Sequence, residues 1–370
     1  MKHIIIGAGI LGASTAYHLA KAGEEVVVVD RNDPGQATQA GAGIVCPWLT
    51  NRSNAAWYRL VLEGARYYPS LIKDLQADGE TDTGYSKVGA INIFDTEEKL
   101  NKKMQVAYER KEEAPEMGEI TKLSSEQTKE LFPPVSHIYG SVHIGGAARV
   151  DGKAICTALL RAAKKNGATE IFGSAKLLSN GSEIQGVLVN GRSIIADQVI
   201  VTNGAWGQEL FEPFGLKTNV SFEKAQIVHL QMPGMNTKDW PVMLPPFNHY
   251  MVTFGGGRLV IGATKEKSND FNTCVTTGSV HQLLDKALRV APGLSEATYL
   301  GTKVGFRPFT PGSLPVIGHL PQFKNVLMAN GLGASGLTSG PFVGAELAKM
   351  AIGNRSVLHL PDYDVNNAFQ

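Results

Sequence analysis

Cysteine is scarce in this chain, and what there is forms no motif. Cys46, Cys156 and Cys274 lie far apart with no CxxC pair. That spacing excludes a zinc knuckle and a redox dithiol, and leaves buried free thiols in a reducing cytoplasm as the expectation. An excess of one charge is also missing. The formal net charge of +1 gives no electrostatic case for a nucleic-acid partner. Long apolar runs are absent too: nothing approaches the ~20 residues of a membrane span. The first apolar run, Lys2 to Ile6, is too short and too soon broken by glycine to be the core of a signal peptide. No metal is expected. These absences point to a cytoplasmic protein without a transmembrane segment, with peripheral membrane association left open.

At 370 residues the chain is long enough for two domains, each with its own core. Hydrophobic content of 43% and charge of 19% are those of an ordinary globular protein rather than a disordered one. Glycine is the residue in excess. The 41 glycines cluster in a few stretches, a pattern that suits close approach of backbone to a ligand.

The first of those stretches organises the rest. An apolar strand, KHIII, runs into Gly7-Ala8-Gly9-Ile10-Leu11-Gly12. A helical pattern follows to Lys21, then a second apolar run, then Asp30. Strand, glycine turn, helix, strand and terminal acid at this spacing form the dinucleotide-binding fingerprint. Gly7 permits the tight turn, Gly9 lets backbone approach a pyrophosphate, and Gly12 lets helix and strand pack closely. The helix N-terminus offers N–H groups and a positive dipole end to phosphates. Asp30 can accept from both ribose hydroxyls. The alternative is a glycine-rich turn between two buried elements, and the fingerprint alone does not choose between NAD and FAD.

Further along, residues 54–75 carry the spacing of a core-facing helix, residues 85–94 alternate as a strand, and residues 96–111 form a charged amphipathic helix. Asp151 caps a helix over 152–166. Asn-Gly pairs at 180–181 and 190–191 join a three-stranded meander. The apolar run 198–202 empties into Asn203-Gly204-Ala205-Trp206, which suits a ligand crevice. From residue 220 the style changes to alternating strands at 220–231, 249–254 and 258–264, which marks a second domain. A last strand at 326–328 leads into Gly331-Leu332-Gly333-Ala334-Ser335-Gly336-Leu337 and a helix from Thr338. The chain thus begins and ends on a strand, a glycine turn and a helix.

Six motifs in one order, across nearly the whole length, resemble the D-amino acid oxidase/glycine oxidase superfamily of FAD-dependent oxidoreductases. They are the N-terminal fingerprint with Asp30, the segment from Thr38 to Ile44, the run VIVTNGAW ending at Trp206, GATKE at 262–266, GFRPFTP at 305–311, and the closing glycine loop. There is no second GxGxxG, no redox CxxxxC and no GD motif, as rival FAD families would carry. The resemblance implies an α/β plus α+β fold. A discontinuous Rossmann-like FAD-binding domain (1–84, 144–216 and 318–370) would carry an inserted, mainly antiparallel β-sheet substrate domain (85–143 and 217–317).

The resemblance also implies a site. Non-covalently bound FAD would be held by Gly7, Gly9, Ile10, Leu11, Gly12, Asp30, Arg31, Thr38, Gln39, Ala42, Gly43, Ile44, Leu177, Asn203, Gly204 and Trp206. Gly331, Leu332, Gly333, Ala334, Ser335, Gly336, Leu337 and Thr338 would close over it. Arg307, the arginine of the GFRPFTP stretch, would hold a substrate carboxylate, and Tyr250 would donate to the same group. Physical chemistry supports Arg307 independently, because a guanidinium binds carboxylate bidentately. The alternatives are a structural ion pair for Arg307 and an aromatic core position for Tyr250. His249, one residue earlier, should face the other side of its strand.

The activity implied is oxidation of the C–N bond of a small amino acid (glycine, a D-amino acid or an N-alkyl amino acid) by hydride transfer to flavin N5. The imino acid would hydrolyse to a 2-oxo acid, and oxygen, a quinone or another carrier would reoxidise the flavin. A homo-oligomer is left open. A 2-hydroxy acid dehydrogenase of the same fold and a non-catalytic nucleotide-binding protein are the rival readings. This sequence also departs from the family pattern. Gly312 stands where the family has an acid, and Leu332 where it has a polar residue. No cysteine lies beside Arg307 for the covalent flavin link of monomeric sarcosine oxidases, and their lysine is not visible in residues 258–261.

Overall fold

The computed structural model describes residues 1–50 and 52–370. Two sheets organise it. The first has six strands in the order Val316–His319, Val326–Asn330, Gln198–Val201, Lys2–Ile6, Glu25–Asp30, Thr169–Phe172. All neighbours are parallel except the first pair. A parallel sheet is buried on both faces, which is why these strands read as unbroken apolar runs. Ile5, Val28, Ile200 and Leu327 enter one core cluster, shared with helices Ile10–Lys21, Gly152–Lys165 and Gly336–Ala351. Their neighbours Ile4, Val27, Val199 and Val326 enter another on the opposite face. The expected meander, Ala175–Asn180, Glu183–Val189 and Arg192–Ile195, covers that second face with Ile184, Val187 and Val189.

The second sheet is mainly antiparallel. Its order is Glu266–Lys267, Ser221–Gln231, Arg258–Gly262, Tyr250–Thr253, Val242–Leu244, Ala90–Phe94, Gly140–Ile144, Ile120–Leu123. A ninth strand, Thr298–Phe309, pairs along the free side of Ser221–Gln231. Ile91, Ile93, Met243, Met251, Leu259 and Ile261 pack against helix Thr277–Val290. The alternate residues Ala90, Val242, Val252 and Val260 face inward and join the core cluster of the first half. Period-2 alternation therefore puts Asn92 and Tyr250 on the inner face and His249 on the outer one, as the sequence led us to expect.

Some sequence expectations need correction. The strand read at 85–94 begins only at Ala90, because Gly84 and Gly89 sit at φ of +65° and +75°, outside extended backbone. The stretch containing Arg307 is a twelve-residue strand, Thr298–Phe309, that pattern reading left unassigned. Pro308 is tolerated there because the strand is a sheet edge, met on its free side only by an isolated bridge from Gln36 to Phe306. Of the three cysteines, burial pushes the Cys46 and Cys156 thiols up to about 12, but Cys274 is exposed in the segment before helix Thr277–Val290. Among the described residues no helix is long and apolar enough to cross a membrane, and no group of His, Cys, Asp and Glu could hold a metal ion.

Candidate active site

The carboxyl ends of three neighbouring parallel strands, Lys2–Ile6, Gln198–Val201 and Val326–Asn330, open on one cavity of about 1260 Å³. A crevice beyond the carboxyl ends, where connections leave on both sides of the central strand, is where such sheets bind ligands. This cavity exceeds the roughly 300–1,000 Å³ of a drug-sized pocket. Its wall includes Asp30 and Arg31 beside the first sheet and Tyr250 and Arg307 of the second.

The glycine turns are tight for measurable reasons. A Cβ on Gly12 would stand 1.8 Å from the Gly7 carbonyl oxygen, so only glycine lets the helix cross the turn. Gly43, at φ +77°, would put its Cβ 1.7 Å from the Val150 carbonyl oxygen. The closing loop returns beside these turns. Thr338 Oγ1 donates to the Ile44 carbonyl at 2.9 Å, Ser14 Oγ donates to the Pro341 carbonyl at 2.6 Å, and Trp57 Nε1 donates to Ser335 Oγ at 2.9 Å.

Helix capping separates the cavity helices from the rest. Asn54, Thr96, Ser124, Asp151 and Thr276 each accept, through the side chain, a backbone N–H of the helix they begin. Helices Ile10–Lys21 and Gly336–Ala351 begin without such a cap, and both start at the cavity. In the first of them the Ile10 N–H is taken by Thr38, which leaves the donors behind it for an anion. Asn203 adds a buried side-chain oxygen with no partner, on a residue lining the same cavity.

Most of the expected cofactor residues line this cavity, and three do not. Gly12 is sealed behind the turn it permits. Gln39 borders a separate small pocket of about 260 Å³ behind Thr38. Leu177 points into the core under the meander, and its neighbours Ala175 and Lys176 line the cavity instead. Asp30 is more committed than expected. Oδ2 accepts from Ala8 N–H at 2.6 Å, and Oδ1 accepts from Asn32 N–H and from Gln36 Nε2 at 3.0 Å. A carboxylate has about four acceptor positions, so about one remains for a ribose hydroxyl. Arg31 is paired with Asp33 at 2.6 Å and Glu209 at 2.5 Å. Thr38 Oγ1 accepts from Ile10 N–H at 3.0 Å, locking the expected segment onto the helix start.

At the far end, Arg307 does two things that the sequence posed as alternatives. Its Nη1 donates to Glu223 at 3.2 Å, directly across the strand pair, and the residue also lines the cavity. Its guanidinium has five N–H donors, so one such bond leaves others for a ligand. Tyr250 lies beside it. Burial raises the Tyr250 pKa above the ordinary 10.0 while Arg307 pulls the other way, and the net shift is upward. The hydroxyl therefore keeps its proton and can donate. His249 has neither ring nitrogen hydrogen-bonded. Burial and the nearby Lys286, of the outer helix, push its pKa down to about 4. It is neutral at neutral pH, and the residue borders the cavity next to Tyr250.

Sequence reasoning missed several lining residues: Arg52, Asn92, Phe94, Lys103, Leu244 and Lys265. All but Lys265, which lies within GATKE, fall outside the motifs. Only alternation on 90–94 could have flagged Asn92 and Phe94, as a polar and an aromatic residue on an inward face.

The pattern of the DAO family, described as FAD dependent oxidoreductase, matches residues 2–350. This chain belongs to that family. The FAD-dependent oxidoreductase is 54% identical over 364 residues to the uncharacterized oxidoreductase YurR of Bacillus subtilis (strain 168), with 98% of each chain covered. It is similar to the crystal structure of iminodiacetate oxidase (IdaA) from Chelativorans sp. BNC1 at 43% identity and a TM-score of 0.95, again over 98% of each chain. Glycine oxidase of Bacillus licheniformis is 28% identical over 354 residues, 95% of this chain and 93% of the relative. The cavity fits FAD on its own evidence: a glycine cradle, two uncapped helix starts, an orphaned Asn203 oxygen and the volume for a dinucleotide with room beyond it.

Proposed function

We propose that this FAD-dependent oxidoreductase oxidises the C–N bond of a small amine bearing a carboxylate, with Arg307 and Tyr250 holding that carboxylate. One observation carries the reading: the paired donors Arg307 and Tyr250 line the cavity, whose lining carboxylates, Asp30, Asp33 and Glu209, are already engaged by backbone N–H groups or by Arg31. Two relatives support it by name, an iminodiacetate oxidase and a glycine oxidase, both acting on amines with carboxymethyl groups. The higher identity to the first favours a secondary amine, an N-substituted amino acid.

When bound non-covalently in this cleft, FAD supplies the two-electron acceptor. The chain's own part is placement. Arg307 offers a planar fork that fixes the carboxylate in direction as well as distance. Tyr250, protonated, donates to the same group. Held this way, the substrate Cα–H can be presented at about the 3–3.5 Å separation of a near-attack geometry. The hydride leaves Cα, the amine proton goes to solvent, and a C=N bond forms. Water then splits that bond into a 2-oxo acid and an amine, or ammonia from a primary amine. No side chain is assigned as base: the His249 pKa, pushed down to about 4, makes it a weak one.

The test is a panel of primary amines, secondary amines and 2-hydroxy acids, all carrying carboxylates. It is run once in air and once without oxygen with an artificial dye. Turnover of amino carboxylates only is expected, and comparison of the two arms identifies the reoxidant. Turnover confined to 2-hydroxy acids, or purified protein that takes up no FAD, would overturn the reading.

A further inference from the structure

The two ends of the cavity carry opposite charge. All its lining carboxylates, Asp30, Asp33 and Glu209, adjoin Arg31 at the nucleotide end. Besides the exposed Lys176, the rest of the wall carries Arg52, Lys103, Lys265 and Arg307. Of these four, only Arg307 has a carboxylate partner among the described residues. One substrate carboxylate would leave that wall with an excess of cations.

Lys103 is the cation whose position most needs an explanation. It stands on helix Glu97–Glu113, which packs on the strand carrying Asn92 and Phe94. It is half-buried, and its one hydrogen bond goes to the Leu49 carbonyl at a long 3.4 Å. Lys99 of the same helix, by contrast, pairs with Asp95 at 2.7 Å. Elsewhere on the same wall, the Arg52 guanidinium lies 4.3 Å over the Trp57 ring and donates to the Ser313 carbonyl at 3.3 Å. Both cations are steered to the cavity by carbonyl groups. A carbonyl positions a cation without neutralising it, and a partly desolvated charge without a counter-ion is costly. Lys265, by contrast, is exposed and can be solvated.

We infer that Lys103 forms a second carboxylate site, so that the enzyme selects amines carrying two carboxylates, one on each arm of the nitrogen. The inference rests on the amine-oxidation reading for its chemistry but not for its binding step. Arg307 and Tyr250 take the carboxylate of the arm that is oxidised. Lys103 takes the carboxylate of the arm that leaves with the amine. An amine with one carboxylate satisfies only the first site, and an N-substituent ending in a cation is repelled by the second.

The experiment uses the FAD-loaded enzyme and two ethers that lack a nitrogen, oxydiacetate and methoxyacetate, read by perturbation of flavin absorbance. The same length of chain then differs by one carboxylate, with no turnover. Oxydiacetate is expected to bind at least about tenfold more tightly, the scale of one well-placed charge pair. In Lys103→Met that ratio should fall close to unity, and in Lys103→Arg it should be largely restored. The kcat/KM ratio of iminodiacetate to N-methylglycine should follow the same course. Flavin content and thermal midpoint, measured on each variant, separate loss of the site from loss of the fold. Equal binding of the two ethers by the wild type, or an unchanged ratio in Lys103→Met, overturns the second site. Discrimination between the ethers without oxidation of any amine leaves the second site standing and removes the proposed function.

Discussion

The two ends of the cavity are built on opposite plans. At the nucleotide end, every charged side chain of the Asp30–Glu209 group is already engaged by the protein. Asp30 accepts three hydrogen bonds, and Arg31 is held between two carboxylates. Elsewhere on the wall, one arginine has one carboxylate, and two further cations, Lys103 and Arg52, are held by carbonyl groups and, for Arg52, the Trp57 ring, with no carboxylate. The saturated end is shaped before any ligand arrives, which favours tight, permanent retention of one molecule. The unsaturated end keeps its donors for a ligand that must come and go. Cofactor and substrate are separated by how much hydrogen-bonding capacity the protein leaves unspent.

The comparison can be broken most forcefully at Arg307. Arg307→Ala should weaken carboxylate-bearing substrates by about 2–5 kcal/mol, because it removes one partner of a partly buried pair and leaves Glu223 alone. FAD content should stay at the wild-type level, and steady-state kinetics with flavin quantitation check both. An unchanged kcat/KM would mean that the arginine belongs to the sheet rather than the site.

A smaller and qualitatively different effect is expected at Asp30. Asp30→Ala strips acceptors from two backbone N–H groups as well as from the cofactor. It should cost about 1–3 kcal/mol of stability even before FAD is added. Thermal unfolding of FAD-free protein is the measurement. A variant that loses FAD affinity but no apo-stability would contradict the pre-engaged nucleotide end.

The joint between the halves gives a pH signature. Asp151 caps helix Gly152–Lys165 and pairs with Arg258 of the second sheet at 2.6 Å. Burial alone would raise its pKa, but the Ala154 and Lys153 N–H groups and Arg258 outweigh that and hold it below the ordinary 3.8. A depressed carboxylate contributes stability above its unfolded value and loses it as pH falls through the folded one. Stability should therefore fall below about pH 4, and the fall should be shallower in Asp151→Asn by circular dichroism. The smallest effect belongs to His249. With its pKa pushed down to about 4, it does not titrate near neutrality, and His249→Gln should leave the pH profile of kcat/KM unchanged between about pH 6 and 8.

The sequence made the saturated end legible and the unsaturated end largely illegible. Gly7, Gly9, Asp30 and the closing loop form contiguous patterns, because tight turns and helix starts are local and demand particular residues. Arg307 and Tyr250 could be read only through a family pattern, since nothing local marks an edge-strand arginine. Lys103 and Arg52 come from a surface-like helix and an irregular segment. Their composition is that of any solvated face, and the fold alone brings them to the cavity wall. Leu177 erred by one residue of strand alternation, which moves a side chain from one face of a strand to the other. The twelve-residue strand around Arg307 was hidden by a proline and two glycines that a central strand would not accept.

The hydrogen bond from Ser14 to Pro341 joins residues 327 positions apart, and the glycine turns beside it are equally remote. During synthesis, the first turn leaves the ribosome long before the second exists. A nascent chain therefore offers the dinucleotide only half a cradle, and cofactor loading becomes an event of the finished polypeptide. Until then the first helix and its parallel strands must wait with an apolar face uncovered, so the interval between the two turns is the period in which this protein is most exposed to aggregation and to chaperones.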